Sequence, residues 1–206
     1  MRTEAILEVL TEAKALGFLG PGDPASHIEH ALGFADAVRR SAPVPDRLAD
    51  LGTGGGVPGL VLAECWPDTE VCCIESSSRR SRALVGWVER LGLANRVRIL
   101  EGRAEDWGRD SEFRERFDLV TARSFARPAV TAEIGSGLVR VGGRMVVSEP
   151  PAGDGRWPAD RLADLGFGPA VVVEARGSHY ACISKAAPAQ EDVPRRSGRP
   201  GKRPLW

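Results

Sequence analysis

The sequence predicts a Rossmann-like α/β fold, a seven-stranded, mostly parallel sheet with helices on both faces. Three observations lead to it. Short apolar runs alternate with helix-period segments along most of the 206 residues, and such alternation builds a doubly wound parallel sheet. A glycine-rich run, Gly52-Thr53-Gly54-Gly55-Gly56, stands between the first strand-like run and the next helical one. An acid, Glu75, ends the second apolar run, roughly twenty residues further on, where a nucleoside site places a carboxylate for ribose hydroxyls.

The elements follow in order. Ile6, Val9, Leu10 and Ala13 recur at helical spacing within residues 4–16, and Gly17 stops that helix. Gly20-Pro21-Gly22-Asp23-Pro24 is a turn, and a second helix is expected over about 25–41. Residues 47–51 read as the first strand, and 58–64 as the helix after the glycine loop, with Pro58 in its first turn. Residues 71–74, 97–100, 117–121 and 144–148 read as further strands, with helices over 78–91 and 127–138 between them. A short helix over 159–165 and two last strands, 171–173 and 180–183, complete the sheet. Three segments are expected: a helical extension (1–45), a ligand-binding domain (46–186) and a loosely ordered basic tail (187–206).

Composition bounds the function. Apolar residues make up 42% of the chain, enough for one core, and no run approaches the roughly 20 residues that span a bilayer. The first residues lack a signal-peptide core, so a cytoplasmic protein is expected, without membrane attachment. The net charge of zero argues against nonspecific coating of nucleic acid but leaves room for a local basic patch. The four cysteines form no C-x-x-C pair and read as buried thiols. No metal site is expected, because no cluster has ligand spacing. His27 and His30, three residues apart, are spaced to face the active-site mouth together; the other reading of each, and that of His179, is an ordinary structural or exposed histidine.

The glycine loop carries the chemistry. Gly52, Gly54 and Gly56 allow a tight turn and close approach of backbone to a nucleoside, and Glu75 is placed to grip its sugar. A dinucleotide enzyme would hold pyrophosphate at this helix start. Asp50 precedes the loop, and an anion there suits a sulfonium and an amino group better. S-adenosylmethionine (SAM) is therefore the expected cofactor, and S-adenosylhomocysteine the product. Residues 102–106 follow the third strand, and backbone at Ala104 and Glu105 is placed to meet the adenine edge. The alternative is that Glu105 and Asp106 merely open a helix.

Several segments taken together resemble the RsmG (GidB) family, the small-subunit ribosomal RNA guanine-N7 methyltransferases. Asp50-Leu51-Gly52-Thr53-Gly54-Gly55-Gly56-Val57-Pro58-Gly59 is similar to that family's glycine loop, including its Pro-Gly ending. Glu75 with Arg79-Arg80, residues 102–105, the segment Thr121-Ala122-Arg123-Ser124-Phe125-Ala126 and the tail from Pro194 to Leu205 match it in order. The resemblance implies cofactor contacts at Gly52, Val57, Ala104, Glu105 and Arg123. It also implies that Arg103 and Arg123 lie near the RNA or the reacting guanine. Two segments depart from the pattern. The family's longer N-terminal helical region ends in Asn-Leu-Thr, and a Lys-Gly follows its fifth strand where this chain has Ser148-Glu149-Pro150-Pro151.

The implied reaction needs no general base, since guanine N7 carries an unprotonated lone pair, and catalysis becomes positioning. Arg123 can pair with a phosphate or stack on a base; its alternative is a surface ion pair with Asp118 or Glu133. Arg79 opens a helix, where positive charge opposes the dipole and suggests an external anion. Arg195, Arg196, Arg199, Lys202 and Arg203 form a cationic tail suited to a phosphate backbone, or to solubility alone. Ribosomal RNA or the small ribosomal subunit is the expected partner, and a monomer the expected state. The other activity the departures leave open is a small-molecule methyltransferase derived from the same family.

Overall fold

The computed structural model describes residues 2–40, 42–151 and 155–206. Seven strands form one sheet: β1 (Arg47–Leu51), β2 (Glu70–Glu75), β3 (Val97–Glu101), β4 (Phe117–Ala122), β5 (Val139–Glu149), β6 (Val171–Ala175) and β7 (Ser178–Ser184). Their order is β3-β2-β1-β4-β5-β7-β6. Strands β1 to β5 pair in parallel, and β7 is antiparallel to both neighbours. The order reverses between β1 and β4, and in open α/β sheets ligands bind beyond the carboxyl ends of strands at that switch point. Asp50, Glu75 and Arg123 all lie at or next to those ends.

Eight helices flank the sheet among the described residues: α1 (Thr3–Ala15), α2 (Pro24–Arg39), α3 (Gly59–Cys65), α4 (Ser78–Arg90), α5 (Ala104–Trp107), α6 (Pro128–Leu138), α7 (Ala159–Asp164) and α8 (Arg199–Lys202). Side chains alternate across a strand, so each strand feeds two cores. Leu48, Val71, Cys73, Leu119 and Val146 join the core under α1 to α4. Ala49, Leu51, Cys72, Val120 and Met145 join the core on the opposite face. Ile6, Val9, Leu10 and Ala13 of α1 are fully buried in the first of these. The backbone N–H of Arg2 also bonds Glu64 of α3 at 2.9 Å. The N-terminal helices thus share the core of the sheet.

Two local details depart from expectation. Strand β5 begins at Val139, and Gly142-Gly143 lies inside it rather than before it. A Cβ on Gly143 would sit 2.8 Å from the Asp118 carbonyl oxygen, so glycine lets β4 and β5 stay paired across an irregular register. The β6–β7 hairpin turns at Arg176-Gly177, both at positive φ (50° and 68°), which matches the twist of its strands.

The tail corrects the expectation of a loose arm. Residues 186–206 fold back over α5 and α6. Pro194 enters a slot made by two glycines; a Cβ on Gly137 would lie 2.2 Å from its ring, and one on Gly108 2.9 Å. Arg195 closes on Glu133, which is fully buried, through Nε (2.7 Å), Nη2 (2.6 Å) and its backbone N–H (2.9 Å). No hydrophobic period marks the tail because prolines, glycines and backbone hydrogen bonds hold it.

Lys185, at the end of β7, is also buried. Its ammonium donates to Ser136 O (2.9 Å), Ser136 Oγ (2.8 Å) and Leu165 O (3.0 Å). Burial pushes its pKa down to about 8.

Two outcomes follow. Arg195→Ala should lower unfolding free energy by roughly 2–4 kcal/mol, since it strands a buried carboxylate, and denaturant melts measure it. The charge on Lys185 costs stability below its depressed pKa, so its contribution is recovered as pH rises through 8 towards 10.5. Between pH 7.5 and 10 the protein should gain about 2 kcal/mol relative to Lys185→Met. Parallel pH dependence of the two proteins would contradict this.

Candidate nucleoside-binding and catalytic cleft

The turn after β1 is built from below. Asp50 alternates onto the face where α3 starts, and it is fully buried. Its Oδ2 accepts from Gly59 N (3.0 Å) and Thr53 Oγ1 (3.0 Å), and its Oδ1 from Thr121 Oγ1 (2.8 Å). Burial pushes its pKa up to about 6, against the pull of these hydrogen bonds. A Cβ on Gly59 would lie 2.8 Å from Oδ2, which explains why glycine follows Pro58. Asp50 therefore does not line the cleft, as the reading of its charge had expected; strand alternation turns it under the loop. Gly56 is likewise a hinge rather than a wall, with φ +96° and the Leu60 side chain behind it.

Above the loop opens a cleft of about 910 Å³. Gly52, Gly54 and Val57 line it. Gly52 (φ +64°) and Gly54 (φ +59°) hold conformations that side chains rarely adopt. A Cβ on Gly52 would press on the Phe125 ring at 2.7 Å, and one on Gly55 on Leu19 at 2.6 Å.

Glu75 also lines the cleft. Its Oε1 accepts from Ser77 N (2.8 Å) and Arg80 Nη2 (2.9 Å), and its Oε2 from Gly54 N (3.1 Å). With one protein donor on Oε2, that oxygen keeps acceptor capacity for a ligand hydroxyl. Ala104 and Glu105 open the short α5 on the same wall. The segment both starts a helix and faces the cleft. The Glu105 carboxylate is turned to the protein, accepting from Arg103 Nη2 (3.0 Å) and Gly198 N (3.0 Å). Burial raises its pKa, but hydrogen bonds from its own backbone N–H, from Gly198 and from Arg103 outweigh this and the pKa falls.

Arg123 sits just beyond β4, half-buried, on the cleft. The alternative of a surface ion pair is excluded. Asp118 pairs with Arg140, Glu133 with Arg195, and no carboxylate pairs with Arg123 among the described residues. Its guanidinium donates instead to Nδ1 of the buried His27. The other ring nitrogen of His27 is 3.3 Å from the Gly20 carbonyl, so the proton sits on Nε2. Burial and the Arg123 charge push the His27 pKa down. Burial, followed by Arg123 and His27, takes His30 to about 4. Both rings are neutral at pH 7. Ser124, next in the chain, is held at φ +52°, an uncommon backbone conformation of the kind that clusters at functional sites.

The cleft rim is cationic. Arg80, Arg103, Arg127 and Lys202 line it beside Arg123. Arg196, Arg199 and Arg203 stand exposed nearby on the tail. Arg195 does not belong with them, because Glu133 neutralises it. Arg79 lies over the Phe18 ring, 5.0 Å from its centroid, and is not part of the lining.

Two sides of the cleft come from segments that no motif marked as lining. Phe18, Leu19, Gly20 and Pro21 cover the glycine loop, and Gly201, Lys202 and Pro204 close the other side. Only the turn residues around Gly20 and the tail's basic character were visible. Of the two readings of His27, a place at the site mouth or a structural role, the fold gives it a buried position against Arg123.

Comparison with known proteins fits this geometry. A family model described as rRNA small subunit methyltransferase G (GidB) matches residues 8–150. A ribosomal RNA small subunit methyltransferase G from Moorella thermoacetica is 37% identical over 79% of this chain and 71% of its own. Its counterpart from Roseiflexus castenholzii is 36% identical over 84% of this chain and 77% of its own. Among solved structures, an O-methyltransferase from Bacillus cereus in complex with SAH superposes with a TM-score of 0.60 at 19% identity, over 87% of this chain and 89% of that one. That last likeness is one of fold. The match of the family model, with these two relatives, places the chain in the rRNA small subunit methyltransferase G (GidB) family.

Proposed function

We propose that the protein transfers a methyl group from SAM to N7 of a guanine in small-subunit (16S) ribosomal RNA. The observation that carries this reading is Arg123, a half-buried guanidinium on the cleft with no carboxylate partner among the described residues, close to a glycine-lined nucleoside cradle. A cation left uncompensated in that position suits an anionic or carbonyl-bearing substrate.

The residues fit the cofactor. Cβ atoms on Gly52 and Gly55 would strike the cradle walls, and Glu75 keeps an acceptor for the ribose. Backbone at Ala104 and Glu105 would meet the adenine. When bound, SAM supplies an electrophilic methyl group on a sulfonium.

The protein's own part is positioning. Guanine N7 needs no deprotonation, and no free general base faces the cleft among the described residues. Asp50 is sealed beneath the loop, His27 is engaged at both nitrogens, and Glu75 and Glu105 are hydrogen-bonded. Arg123 is placed to hold a phosphate or the guanine carbonyl. His27 fixes its guanidinium from behind. The exposed tail cations and the rim arginines suit the RNA backbone. The reading implies a monomer acting in the cytoplasm. No helix among the described residues is long and apolar enough to cross a membrane.

Calorimetry should give a binding isotherm for S-adenosylhomocysteine, and Glu75→Gln should weaken it roughly 10- to 100-fold, the scale of a charge-assisted hydrogen bond. A silent titration with the unmutated protein would remove the basis of the proposal. Transfer of labelled methyl from SAM to small subunits or their RNA should yield 7-methylguanosine by mass analysis of nucleosides. Arg123→Ala should slow it by about 100-fold or more. Methylation at another atom, or an unchanged rate, counts against the assigned chemistry.

A further inference from the structure

The C-terminal segment was expected to follow an RNA backbone or to add solubility alone. Its placement gives it another task, one that rests on the cofactor reading above. Beyond the Pro194 slot and the Arg195–Glu133 clamp, the chain turns at Gly198 (φ +75°) into α8, which packs on α6. There Gly201, Lys202 and Pro204 reach the cleft. They share it with Ala104 of α5 and with Val130 and Ile134 of α6.

Two contacts fix that wall. Glu105, only 1% exposed, spends its Oε1 on the Gly198 N–H at 3.0 Å. The Arg195 guanidinium, besides holding Glu133, donates to the Arg203 carbonyl at 2.8 Å. Glu105, which opens α5 beside Ala104, therefore holds the start of α8, and the clamp holds its end. A segment meant only to trail along RNA would need neither contact.

We propose that the C-terminal segment Gly198–Pro204 is a cofactor-binding element, the outer wall of the adenine side of the cleft. Glu105 is a positioning residue that seats this wall through Gly198 while its backbone faces the cleft. Wall and ligand stabilise each other, because a ligand that contacts only the seated state shifts the population toward it.

The test uses two proteins without RNA: the full chain, and a chain ending at Arg195, which keeps the Pro194 plug and the clamp to Glu133. S-adenosylhomocysteine is titrated into both by calorimetry. The shortened chain is expected to bind at least tenfold more weakly and to keep its far-ultraviolet dichroism. In the full chain, saturating S-adenosylhomocysteine should slow trypsin cleavage after Arg196 and Lys202 at least fivefold. Glu105→Gln should raise both the dissociation constant and the cleavage rate. If the shortened chain binds within twofold of the full chain, or if the ligand leaves trypsin cleavage of the tail unchanged, the wall proposal is overturned. If the full chain itself binds no S-adenosylhomocysteine, the cofactor reading fails first and this inference falls with it.

Discussion

Asp50 sits where water does not reach, and three donors from three different places converge on its carboxylate. Gly59 comes from the start of α3, Thr53 from the loop, and Thr121 from the neighbouring strand β4. A buried carboxylate is costly unless it is hydrogen-bonded, so these partners cannot drift independently. The loop's height above the sheet, the start of α3 and the end of β4 become one unit. Arg123 lies two residues beyond Thr121, and its charge favours the ionised form of Asp50. The base of the cradle and the cation on its rim are thus set by one interaction.

Charge is sorted by function across the molecule. Acids near the cleft are each spent on the protein: Glu75 on Gly54, Ser77 and Arg80, Glu105 on Arg103 and Gly198, Glu133 on Arg195. At the rim Arg80 and Arg103 share those acids, while Arg123, Arg127 and Lys202 have no acidic partner among the described residues. A chain of zero net charge can therefore still present a cationic face. Such a local field steers a polyanion, whatever the total charge.

Both ends of the chain return to the same opening. The turn after α1 lays Phe18 and Leu19 over the glycine loop, and α2 delivers His27 to Arg123. The tail closes the other side through Pro194, Arg195 and Gly198. The cleft is lined by segments about 180 residues apart in sequence, which only a completed fold can bring together.

The sequence by itself determined the sheet, its helices and the ligand-binding turn. Period-two and period-3.6 apolar patterns are local signals, and glycines at Gly52 and Gly54 report backbone conformations that few other residues hold. Glu75 was legible for the same reason, as the last residue of a strand at a fixed distance from the loop. Which way a side chain faces, and what meets it, was settled only by tertiary structure. Asp50 went under the loop because strand alternation and Gly59 drew it there. Arg195 left the cationic set because Glu133 needed a counter-charge in the core. His27 became the support of Arg123, and residues without periodicity became a wall. These outcomes depend on partners 62 to 96 positions away, and no local pattern records a contact at that range.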